Sequence, residues 1–165
     1  MFVTEHDHCV ALTLVGDAAA ATSRAEYLAI VLPGLRRLAA STETSYGEIL
    51  TRTWRWTNIA GFPTTPADLP GAARVFLERP AEHPWIGWVR QGGDRTVRLS
   101  RLRGDVPLER LPYYAEFFRP RGVRHAAYMV IARSADRAIG LCAGRSQSDY
   151  SARERDHLEP HRLPP

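Results

Sequence analysis

Two neighbouring runs near the C-terminal end restrict the fold more than any other feature. Residues 123–132 and 138–143 are rich in apolar and β-prone side chains. A short polar turn from Ser134 to Arg137 joins them. Two such runs around a short turn predict an antiparallel hairpin. The rest of the chain must supply a sheet for that hairpin to join, since an isolated hairpin is marginal in water.

The remaining pattern mixes helices and strands without a regular βαβ alternation. Residues 45–56 carry alternating β-branched and aromatic positions and predict one or two strands. Residues 24–40 repeat Tyr27, Val31, Leu35 and Leu38 at helical spacing, with Thr22 and Ser23 as N-caps. Pro33 is expected to kink that helix or start a second one. Further helices are expected at 66–78, from His83 to the Gly92-Gly93 turn, and at 107–118, where Pro112 threatens a break. Residues 96–99 read as a short extended piece. Ser151 and Glu154 form a capping-box pattern that starts a last helix, which Pro160 closes. Residues 10–15 read as a strand. This order favours an α+β fold with an antiparallel sheet, and 165 residues suit a single domain with one substantial core.

Charge and composition narrow the function. All 22 basic residues are arginines, spread along the chain among 18 acids. A nucleic-acid binder gathers its cations on one helix or stripe, so a salt-bridged surface is the expectation. Cys9 and Cys142 lie far apart and form no disulfide framework or CxxC pair. No stretch approaches a membrane span and no basic signal-peptide start precedes residues 10–15, so a cytoplasmic location is expected. The cluster from Glu5 to Cys9 has no zinc spacing, so no metal is expected, and no cofactor fingerprint is visible.

The aromatic side chains are the main functional clue. Trp54 and Trp56 would share a strand face, and Trp85 and Trp88 would be neighbours on a helix. With Tyr114 and Phe118 they can either form solid core or line a cavity for a small hydrophobic ligand. Cys142 lies between Gly140 and Gly144, which allow close approach of a ligand or a backbone. Arg145 could pair with an anionic ligand group or hold an acid such as Asp149. His83, His125, Tyr128 and Asp105 are the candidate acid–base groups. His83 also occupies a helix-cap position before Pro84. A regular strand would put His125 and Tyr128 on opposite faces.

Several segments in fixed order resemble a known family. His83-Pro84 precedes Gly92-Gly93-Asp94. The stretch from Leu111 to His125 follows, then Gly140 to Arg145, then Asp149 to His161. Together they look like the N-terminal GAF-like sensor region of actinobacterial LuxR-type transcriptional regulators, over roughly residues 24–161. The resemblance implies a GAF-like antiparallel sheet flanked by helices and a ligand cavity between sheet and loops. It divides the chain into a segment 1–22, strand-like or disordered, a ligand-binding domain 23–161, and a tail 162–165. Those regulators continue into a helix-turn-helix domain. This chain stops at Pro165, so direct DNA readout by it is not expected. It departs from the family where Arg101 follows Ser100.

Fold does not fix function. The first expectation is a sensor-type domain that binds a small hydrophobic metabolite. The alternatives are a cofactor-free cyclase or isomerase of secondary metabolism, and an interaction module, including a homodimer.

Overall fold

The computed structural model describes residues 5–63 and 78–158. Residues 66–77 of the helix expected at 66–78 and the closure by Pro160 fall outside the described residues, as do the side chains of residues 5–8 and 156–157.

The predicted hairpin is present and central. Strand β4 (His125–Arg133) pairs antiparallel with β5 (Arg137–Arg145). Ser134 makes the turn: its hydroxyl accepts from the amides of Asp136 and Arg137, at 3.3 and 3.1 Å. The 45–56 region divides into β1 (Glu43–Leu50) and β2 (Arg55–Phe62), which form a second hairpin. A two-residue strand, β3 (Val97–Arg98), completes a five-stranded antiparallel sheet in the order β2-β1-β5-β4-β3.

Strand alternation splits the apolar residues between two faces. Ala127, Met129, Leu141, Ala143 and Tyr46 pack with Val31, Leu32 and Leu35 on one side. Ala126, Tyr128, Val130, Ala138 and Ile49 pack with Trp85, Ile86, Val89 and Phe118 on the other. The result is α+β: a sheet with helical layers on both faces, as expected.

The first layer holds α1 (Glu5–Ala20) and α2 (Arg24–Leu38). Ser23 caps α2 by accepting from the Glu26 amide at 3.2 Å. Two expectations fail here. Residues 10–15, read as a strand, lie inside α1, and the segment that holds them is neither strand-like nor disordered over Glu5–Ala20. An apolar run of six has no period that tells strand from helix. Tertiary packing decides it, because Leu14 fills the space that the missing Cβ of Gly34 leaves on α2. Pro33 also starts no second helix: α2 is continuous through it. Val31, Leu32 and Leu35 seat both halves of α2 on the sheet, and Thr44 donates to the Leu32 carbonyl at 2.8 Å.

The opposite layer is more irregular. It contains α3 (Pro84–Arg90), α4 (Leu99–Arg103) and the segment expected as a helix at 107–118. That segment breaks before Pro112. A 3-10 turn, Leu108–Arg110, ends at an extended Leu111, and a π-helical turn, Tyr114–Phe118, follows. The wide turn presents Tyr114, Phe117 and Phe118 together to the sheet. Gly122, at φ 69°, then turns the chain into β4.

A last helix, α5 (Ala152–His157), starts at Ser151 with the predicted capping box. Among the described residues, no helix is long and apolar enough to cross a membrane.

Candidate functional site

The site begins with two glycines. Gly47 of β1 and Gly140 of β5 are register partners. Neither position leaves room for a side chain. A Cβ on Gly47 would collide with the ring of Trp56, and a Cβ on Gly140 with the ring of Trp85. The bare backbone forms a shallow floor on which both indoles lie. Those indoles stack on one another, with ring centroids 5.8 Å apart and planes 22° apart. Such a pair is an attractive offset geometry.

The next row of the sheet continues the floor. Ser45, Cys142 and Tyr128 are register neighbours across β1, β5 and β4. His83 stands over this row. Its ring centroid is 5.3 Å from Trp56, 5.6 Å from Tyr128 and 4.4 Å from Tyr113, each edge to face. The π-helical turn supplies Phe117 and Phe118. All of these except Tyr113 line a half-open hollow of about 380 Å3, its open mouth included, in which the space free for water-sized groups is about 30 Å3, room for about two waters.

Sequence explains His83's place. It precedes Pro84 at the start of α3, and its Nδ1 accepts from the Trp85 amide at 3.1 Å. Burial pushes its pKa down to about 3, so the ring is neutral at ordinary pH. An accepting Nδ1 fixes the proton on Nε2. Burial also raises the Tyr128 and Tyr113 hydroxyls well above their usual values, and the Cys142 thiol likewise. No charged side chain lines the hollow among the described residues. Glu43 pairs with Arg121 at 3.5 Å, and the Arg121 guanidinium sits 4.3 Å over Phe117, a lining residue. Burial pushes Glu43 up to about 7, against the lowering effect of Arg121.

Two lining groups hold buried polar atoms with no hydrogen-bond partner. They are the Trp85 indole N–H and the Tyr128 hydroxyl, on residues 2% and 3% exposed. An orphaned buried donor costs about 1–3 kcal/mol. Burying an aromatic side chain recovers roughly 4–6 kcal/mol, so packing tolerates both orphans.

The hollow gathers some of the expected site residues and leaves others apart. Trp56, Trp85, Phe118, Cys142, His83 and Tyr128 line it. Tyr114 is buried in the same cluster behind the rings. Trp54 does not share a strand face with Trp56. It sits in the β1–β2 turn at φ 55°, under the Arg90 guanidinium at 5.3 Å. Trp88 is on α3 with Trp85, as expected, but packs onto Gly93.

Tyr128 and His125 occupy opposite faces of β4, as their spacing requires. His125 is 4.0 Å from Asp149, away from the hollow. Asp105 is exposed and meets none of the burial its acid–base role needs. Arg145 is used internally. It donates to Glu154 at 2.8 and 3.2 Å and to the carbonyls of Ser148 and Asp149, and it stacks over Tyr150. It therefore ties α5 to the sheet and has no free face for a ligand anion. Sequence reasoning missed Gly47, Ser45 and Ile59, which also line the hollow. An isolated glycine inside the β-prone 45–56 run was the available signal for the first of these.

Two solved structures share this fold, a five-stranded antiparallel sheet with helices on both faces. One is the VqsR LBD domain from Pseudomonas aeruginosa, at 15% identity, with 92% of this chain and 85% of that chain covered and a TM-score of 0.64. The other is the N-acylhomoserine lactone dependent LuxR family transcription factor CepR2 from Burkholderia cenocepacia, at 18% identity, with 94% and 87% covered and a TM-score of 0.65. No protein-family model and no curated protein matches the chain.

Proposed function

We propose that this chain is a sensor-type domain that binds a small hydrophobic metabolite in the hollow between the sheet and the rings of Trp56, Trp85 and His83. The Gly47–Gly140 floor carries the reading. The two facing glycines let the stacked indoles lie against the sheet, and those indoles form one side of the hollow. The fold shared with VqsR and CepR2 supports it, since the CepR2 structure is described as acylhomoserine lactone dependent.

His83, Tyr128 and Cys142 are all held in neutral form. They can donate or pack, and this suits recognition better than proton transfer. Native mass spectrometry of the protein purified from its own source tests the reading. A small molecule that is retained in wild type and lost in Gly140→Leu is the expected result. A bare polypeptide mass under every mild condition tried, with no binding from an organic extract, contradicts it.

A further inference from the structure

We propose that Arg121 is a positioning residue that straps the π-helical turn, one wall of the hollow, to the sheet by balancing the carboxylate of Glu43. With the strap in place the wall stays against the sheet. Without it the wall swings outward and the hollow widens. The strap governs access to the hollow whatever enters it, and its test uses no guest. It therefore stands or falls apart from the small-molecule reading above.

The first observation is the wall itself. Residues 112–121 lie between an extended Leu111 and a left-handed Gly122 at φ 69°. At both ends the backbone bonds close locally. The Tyr114 and Ala115 amides donate to the Leu111 carbonyl, and the Val123 amide donates to that of Phe118. The segment can pivot at those two residues while the bonds of the sheet stay intact. Phe117 and Phe118, which it carries, line the hollow.

The second is the tie. Arg121 Nε lies 3.5 Å from Glu43 Oε2, and the same guanidinium lies 4.3 Å over the Phe117 ring. One side chain thus joins a lining ring of the wall to the first residue of β1. A planar guanidinium can stack on a ring and face a carboxylate at once. Both partners of this pair are only 20% exposed. On the outer side Arg79 pairs with Glu116, but those side chains are 35% and 45% exposed, and a pair so open to water contributes little.

The third is the anchor. Glu43 cannot follow the wall, because β1 is paired on both edges. Its stem packs over Gly144 of β5 beside Val123; their carbons lie 3.2 and 3.0 Å from where a Cβ on that glycine would be. Burial pushes the Glu43 carboxyl up to about 7 even with Arg121 beside it. Removing Arg121 strands that carboxylate without a counter-charge. Outward movement of the wall is then its route to water.

Iodoacetamide labelling of Cys142, followed by mass spectrometry, tests the strap. Cys142 lines the hollow, and the exposed Cys9 is removed by Cys9→Ser in every protein compared. The reagent needs more room than the about two waters that fit inside, so labelling waits on the wall. At pH 8, where Glu43 is ionised, Arg121→Met is expected to label at least about tenfold faster than its parent. Urea denaturation in parallel shows how much of that gain global unfolding accounts for. Adding Glu43→Gln removes the stranded charge and is expected to bring the rate back to within about threefold of the parent. A rate for Arg121→Met within about twofold of the parent overturns the strap. So does a gain that only tracks lost global stability, or one that persists in full with Glu43→Gln. Hydrogen exchange on the parent needs no Arg121 variant and decides if Arg121→Met does not fold. The amides of residues 114–118 are expected to open at least about tenfold more readily than those of β4 and β5, and equal protection overturns the swinging wall.

Discussion

Gly47 and Gly140 face each other across the β1–β5 pairing, and each leaves a gap that one member of a stacked indole pair fills. The site therefore depends on what the sheet lacks. A methyl group at either position must move an indole, and Gly140 also lies close to the Met129 carbonyl. Gly47→Ala and Gly140→Ala are each expected to cost about 1–3 kcal/mol through overpacking. Urea denaturation monitored by circular dichroism measures this. Gly140→Ala is expected to be the costlier, because a backbone carbonyl cannot swing aside as a ring can.

His83 sets a pH dependence whose sign follows from its burial. Its folded pKa of about 3 lies below the ordinary 6.5. As pH falls below 6.5 the unfolded chain takes up a proton that the folded chain refuses. Stability contributed by neutral His83 is present above 6.5 and drains away down to about 3, at about 1.4 kcal/mol per pH unit. Glu43 acts the other way. Its folded pKa of about 7 exceeds 4.5, so acidification from 7 to 4.5 favours the folded state. The two nearly cancel between pH 6.5 and 4.5 in wild type. His83→Asn keeps a cap acceptor for α3 and cannot titrate. Its stability is expected to rise on acidification across that window, as followed by denaturation at pH 7, 6 and 5. A profile parallel to wild type contradicts the assignment.

Arg145 joins α5 to the sheet through Glu154 and through the carbonyls of Ser148 and Asp149. Its hydrogen bonds hold Glu154 down at about 2. Because Glu154 is lowered from 4.5, that stabilisation is complete above 4.5 and is lost as pH falls towards 2. Arg145→Met is expected to cost roughly 1.5–3 kcal/mol. It should also speed hydrogen exchange at residues 150–158 ahead of the strand amides. Uniform exchange across the chain would show that the clamp is not local.

The legible parts of the fold were those with a local cause. The β4–β5 hairpin, the Ser23 cap, the Ser151–Glu154 box and the His83 cap are each written within a few residues. So was the separation of His125 from Tyr128. What was not legible depends on distant partners. Residues 10–15 became helix because Leu14 meets Gly34, and Pro33 was absorbed because α2 lies flat on the sheet. Trp54 and Trp56 read as one face until a turn at Trp54 divided them. Of the aromatic residues singled out, Trp56, Trp85 and Phe118 line the hollow, while Gly47 and Phe117 join it only through strand register and a π-helical turn, neither of which has a sequence period.

The central claim is that the Trp56–Trp85 side of the molecule opens to hold an organic guest. Two-dimensional NMR of the four indole N–H signals, assigned by Trp→Phe variants and recorded with and without a saturating organic extract of the protein's own source, tests it most directly. The account predicts large shifts for Trp56 and Trp85 and little change for Trp54 and Trp88. Four unmoved signals, or shifts confined to Trp54 and Trp88, would contradict it.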